Sequence, residues 1–135
     1  MLSEAIADAV EKLIGQLTQA AHENAKAKGF YGVPFNVAEK LALIHSEISE
    51  VLEEFRDGAE PASIRYECEL GKAECPDKAC RLCEQGIPAG IPIELADVVI
   101  RVFDLAGYYG IDLGRAIVQK MLYNQHRPIR HGKKF

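Results

Sequence analysis

Apolar residues recur at intervals of three and four along four stretches of the chain, which is the period of a helix with one buried face. In the first stretch Ile6, Val10, Leu13, Leu17, Ala20 and Ala21 form such a stripe, predicting a helix over about Ser3 to Lys28 that closes before Gly29. Gly29 to Phe35, with Gly32 and Pro34, reads as a loop. Asn36 with Glu39 three residues on has the form of a capping box, and a second helix is expected to about Asp57. Its apolar positions Val37, Leu41, Ile44, Ile48, Val51 and Phe55 gather on one side. After a Gly-, Pro- and Cys-rich segment, Pro92 sits where a helix starts and Gly110 where one stops, so a third helix reaches about Tyr109. Leu95, Val98, Val99, Val102, Phe103, Leu105 and Ala106 wrap most of its circumference, which predicts a central, largely buried helix. Asp112 caps a fourth helix that ends between Asn124 and His126, before Pro128. No segment alternates with period two for long enough to make a strand. The expected fold is therefore all-α, an antiparallel helical bundle of about four main helices with an insertion over about 58–91.

At 135 residues the chain fits one domain, 1–135, and is long enough to bury roughly 70% of its unfolded surface without staples. With 48% hydrophobic and 27% charged residues, disordered and fibrous classes are excluded. A membrane helix needs about 18 apolar residues, and even Leu95 to Leu105 is broken by Asp97, Arg101 and Asp104. The N-terminus carries Glu4, Asp8 and Glu11 and lacks the basic and apolar regions of a signal peptide, so a cytoplasmic location and no membrane partner are expected. A net charge of −4 argues against a nucleic-acid polymer as partner. The charge is uneven, however. Beyond Asp112 there is no acidic residue, while Arg115, Lys120, Arg127, Arg130, Lys133 and Lys134 follow. An acid-rich middle and a basic tail suit a ligand that needs both a metal-binding and a phosphate-binding side.

The acidic residues are ordered. Glu47 and Glu50 on the second helix, and Glu94 and Asp97 on the third, are each spaced by three, one turn apart on one helical face. Glu47, Glu50 and Glu54 border the apolar stripe of the second helix, and Glu94, Asp97, Arg101 and Asp104 fill the one polar stripe of the third. Taken singly, each pair reads as a solvated face. Packed together, each like-charged pair at roughly 6 Å costs about 3 kcal/mol at an effective dielectric near 20, so a cation must counter them. Oxygen-only ligands favour a hard ion, Mg²⁺ or Mn²⁺. A di-iron bundle wants Glu-x-x-His motifs, and no Glu here has a His three residues later.

Ser46-Glu47-Ile48-Ser49-Glu50-Val51, then Glu94-Leu95-Ala96-Asp97-Val98-Val99-Ile100, then Lys120-Met121-x-x-Asn124-x-x-Arg127-Pro128 followed by His131-Gly132-Lys133, resembles the MazG-like, all-α nucleoside triphosphate pyrophosphohydrolase superfamily. The likeness covers about Asn36 to Asp57 and Pro92 to Phe135, nearly half the chain. It implies Mg²⁺-dependent hydrolysis of a (deoxy)nucleoside triphosphate to the monophosphate and pyrophosphate, in sanitation of the nucleotide pool. It further implies that Glu47, Glu50, Glu94 and Asp97 hold the metal, and that Glu50, and after it Glu47, acts on the attacking water. Lys120 and Arg127 are then the phosphate ligands and Asn124 lies near the sugar or phosphate. A homodimer or homotetramer that completes the bundle is also implied. Read without the family, the tail is a cationic helix end favourable against the macrodipole.

Cys68, Cys75, Cys80 and Cys83, spaced C-x6-C-x4-C-x2-C, lie in the insertion between the two acidic helices. Structural Zn²⁺, free thiols, and a disulfide or iron–sulfur site all remain open. Such a cluster departs from the family pattern. His45, one turn before Ser49, reads as a surface or packed histidine, Phe30, Tyr31 and Phe35 as a bundle cap or a base-stacking surface, and Tyr108, Tyr109 and Tyr123 as packing residues. Walker, nucleophile-elbow and Rossmann signatures are missing from the sequence. The rival reading is a non-catalytic, zinc-stabilised helical interaction module that retains the shape, against which the intact acidic quartet stands.

Overall fold

The computed structural model describes residues 3–68 and 86–128. These are mostly helical: α1 (Glu4–Ala27), α2 (Val37–Arg56), α3 (Ile91–Tyr109) and α4 (Leu113–Gln125), with two short strands, β1 (Arg65–Glu67) and β2 (Ile87–Ala89). Three helices start on a side chain that takes up free backbone amides, as the sequence signals require. Ser3 Oγ accepts from Ile6 N at 3.4 Å, Asn36 Oδ1 from Ala38 N at 3.0 Å and Glu39 N at 3.4 Å, and Asp112 Oδ1 from Arg115 N at 3.0 Å. The antiparallel pairing Arg65↔Ala89, Tyr66↔Pro88 and Glu67↔Ile87 was not expected. Strands of three residues are too short for an alternating pattern to register. Cys68 follows β1 and is buried. Cys75, Cys80 and Cys83, like Arg130, His131, Gly132, Lys133 and Lys134, lie outside the described residues.

The chain divides into two compact units, Met1–Phe35 with Val102–Phe135, and Asn36–Arg101. In the first, α1 packs along α4, and its second half against the end of α3. Close approach is set by two glycines. A Cβ on Gly114 would lie 2.7 Å from the Glu11 carbonyl oxygen and 2.8 Å from Glu11 Cα, and one on Gly107 would lie 2.6 Å from His22 Cβ. The buried residues of α1 are the small Thr18 and Ala25. Ile6, Leu13 and Leu17, which the apolar pattern put in the core, are exposed.

The second unit holds α2, the small sheet and the first half of α3. Ile91 and Ala89 are buried here. On α2 Glu47 is the buried residue, 6% exposed, whereas of the expected core stripe Ile44 and Val51 are half-buried and Val37, Leu41, Ile48 and Phe55 are exposed. The expectation of a largely buried third helix also needs correction. Phe103 and Ala106 are buried, but among the described residues Leu95, Val99 and Ile100 are about half-exposed, because a helix apolar nearly all round cannot turn every side toward one packing face. Among the described residues no helix is long and apolar enough to cross a membrane.

Candidate metal centre

Glu47 lies in the middle of α2, and Glu94 and Asp97 in the first two turns of α3. One carboxylate oxygen from each of these three lies within 4.8 Å of the others. Burial is the largest influence on Glu94, whose carboxyl is pushed above its ordinary value, with further increments from the charges of Glu50, Asp97, Glu54 and Glu47. Asp97 is raised first by burial and then by Glu47, with Arg101 pulling the other way. Glu50 stands outside the tight group of three, exposed on α2, and acts on it through space.

Among the described residues two arginines pair with carboxylates of this region. Arg101, one turn beyond Asp97, donates from Nε to Glu47 Oε1. Arg65 on β1 grips both oxygens of Glu54, at 2.6 and 2.7 Å, and reaches Glu67 at 3.1 Å, which raises its own pKa. This fork ties the base of the insertion to α2. Sequence reasoning put Arg101 on the acidic stripe without giving it a role; its four-residue offset from Asp97 was the available signal. Nothing local in the sequence linked Arg65 to Glu54.

The raised carboxyls give a pH dependence with a definite sign. A carboxyl whose folded pKa exceeds its unfolded value holds its proton longer in the native state. It therefore costs no stability below the unfolded value, and the cost grows as pH rises through the folded one. The metal-free chain is expected to lose stability as pH rises from about 4, near the ordinary values of 3.8 and 4.5 for Asp and Glu, to neutrality. Millimolar Mg²⁺ should suppress that loss. Thermal melts against pH, with Mg²⁺ and with EDTA, give the comparison.

Lys120, Asn124 and Arg127 belong to the other unit, on α4 and just past its end. Lys120 Nζ lies 5.2 Å and Arg127 Cζ 5.5 Å from the centre of the Tyr123 ring, itself 59% exposed. Two cations thus lie against one aromatic ring. Asn124 is exposed. His45 is exposed on α2, its carbonyl accepting from Ser49 Oγ at 3.2 Å.

A second polar group, missed in the sequence, lies within the first unit. Asp104 Oδ1 accepts from Tyr31 Oη at 2.8 Å and faces His22 Nδ1 at 2.9 Å. Burial, then the bond to Asp104, pushes the Tyr31 phenol upward. Tyr31 stacks on Tyr108, and Phe35 stacks on Tyr108 at 3.9 Å, so the loop before α2 is pinned to the end of α3. Asp104→Ala is expected to cost about 1–3 kcal/mol, since it leaves two part-buried donors unsatisfied. Urea denaturation would measure it. A cleft of about 500 Å³ beside this group is bordered by Thr18, His22, Lys26, Gly107, Ile111 and Asp112.

Compared with protein-family models, with curated proteins and with solved structures, the chain finds no match.

Proposed function

We propose that the chain hydrolyses a (deoxy)nucleoside triphosphate to the monophosphate and pyrophosphate with Mg²⁺, or Mn²⁺ in its place, as a MazG-like all-α pyrophosphohydrolase. The observation that carries this reading is the convergence of Glu47, Glu94 and Asp97, with oxygens within 4.8 Å of one another on the two helices that bear the paired acidic motifs. The donor set is all oxygen and triply acidic, which suits a hard divalent ion. When bound, such an ion screens the phosphate charge and activates water for in-line attack on phosphorus.

The chain's own residues divide the work. Glu47, Glu94 and Asp97 hold the ion. Glu50, near the group but outside it, is the carboxylate left to orient the attacking water and take its proton. Lys120 and Arg127 are phosphate ligands by the resemblance alone, Arg127 with a bidentate fork. Asn124 contacts the sugar or a phosphate by the resemblance alone. A cytoplasmic homodimer or homotetramer would cover the half-exposed Leu41, Ile48, Leu52 and Phe55 of α2. A structural Zn²⁺ on Cys68, Cys75, Cys80 and Cys83 rests on their spacing.

The test is incubation with each common ribo- and deoxyribonucleoside triphosphate, with Mg²⁺ and with EDTA, resolving pyrophosphate from orthophosphate. Mg²⁺-dependent release of monophosphate and pyrophosphate supports the reading. No turnover of any triphosphate, with Mn²⁺ also tried, refutes it and favours a binding module.

A further inference from the structure

We propose that Arg101 is an internal counter-ion for Glu47 that competes with the divalent cation for this carboxylate and so sets the metal affinity of the site. The proposal rests on the metal-site reading above. Glu47 is the most deeply placed of the three carboxylates, its side chain 8% exposed, and a carboxylate so removed from water needs a cationic partner. Arg101 supplies that partner through Nε, from the same helix as Glu94 and Asp97. Its own side chain is 36% exposed, so water can receive the guanidinium when it lets go. A guanidinium keeps its charge at physiological pH, so it stands as a lasting competitor that another cation must displace.

The exchange is favourable in one direction for each occupant. A divalent ion engages all three carboxylates and relieves their mutual repulsion. Arg101 bonds only one of them and leaves the oxygens of Glu94 and Asp97 within 4.8 Å of each other. Metal therefore wins, but against a standing competitor that lowers its apparent affinity. Displaced from Glu47, Arg101 becomes an available two-pronged donor one turn from Asp97. Arg65 differs, because its partner Glu54 is outside the group of three.

Calorimetric titration of Mn²⁺ alone into the metal-free full chain tests this without substrate or turnover. Arg101→Met should bind Mn²⁺ about tenfold more tightly than the parent, because one competing charge is removed. Its metal-free melting temperature should fall and its gain on adding Mn²⁺ should exceed the parent's. Arg56→Met, which removes an equal charge from an exposed pair with Glu53, should stay within about twofold. Arg101→Lys, which keeps the charge without the fork, should fall between parent and Met variant. If Glu47→Gln weakens Mn²⁺ binding while Arg101→Met leaves it unchanged or weaker, the competition is overturned and the metal site stands. An equal tightening in Arg56→Met also overturns it, in favour of a general field effect. If neither the parent nor Arg101→Met binds Mn²⁺, the metal-site reading fails and the competition with it.

Discussion

Asp97→Asn is expected to lower metal-dependent turnover by about a thousandfold or more, while leaving the metal-free chain at least as stable as the parent. The two halves of this result have one cause. Asp97 is a charged group held where burial and Glu47 both oppose its charge. Neutralising it removes an unfavourable interaction from the folded state and a ligand from the metal set. Asn keeps the shape and one carbonyl oxygen, so a loss of turnover cannot be assigned to a cavity. Glu47→Gln should behave differently. It strips Arg101 of its charged partner, so it is expected to lose both turnover and some metal-free stability. Turnover and thermal melts measured on both variants separate the cases. A destabilised but active Asp97→Asn chain would show that the carboxylate is a structural ion-pair member and not a metal ligand.

The largest effect on stability is expected at Gly114, in the other unit. Gly114→Ala should cost about 2–3 kcal/mol, well above the usual effect of a methyl group on a helix surface. The added Cβ would sit 2.7 Å from a backbone oxygen and 2.8 Å from a Cα of α1, and neither atom can swing aside as the end of a side chain would. Helix propensity alone favours Ala over Gly by about 1 kcal/mol, so the clash must be large enough to reverse the sign. Urea midpoints of parent and variant provide the measurement. A neutral or stabilising substitution would mean that α1 and α4 are not packed at this distance.

Much of the helical framework is legible in the sequence because helix boundaries depend on local signals. Ser3, Asn36 and Asp112 cap the helices they precede, and α3 ends at Tyr109 before Gly110, as the residue types require. The faces were less legible. Periodicity assigns Leu13, Leu17, Ile48 and Phe55 to a core, yet they are exposed, because which side of an amphipathic helix turns inward depends on what its neighbours offer. On α1 the neighbours offer Gly114 against the Glu11 backbone and Gly107 against His22, and small Thr18 and Ala25 are the buried residues. On α2 Glu47 is buried more deeply than any residue of the apolar stripe, and cationic company makes that tolerable. The acidic group follows from the three-residue spacing of the motifs, and three of its four expected members converge. Arg101 and the Asp104 cluster were not foreseen, because each is made by pairing distant elements: Glu47 with Arg101, and His22 and Tyr31 with Asp104. No local pattern encodes such pairs.

The central claim is that Glu47, Glu94 and Asp97 bind one divalent cation together. Anomalous diffraction at the manganese edge, from crystals of the parent chain equilibrated with millimolar Mn²⁺, tests it most directly. A single strong peak at coordination distance, about 2.0–2.3 Å, from oxygens of all three carboxylates is the predicted result. A peak elsewhere on the chain, or none while the three carboxylates are ordered, would contradict it.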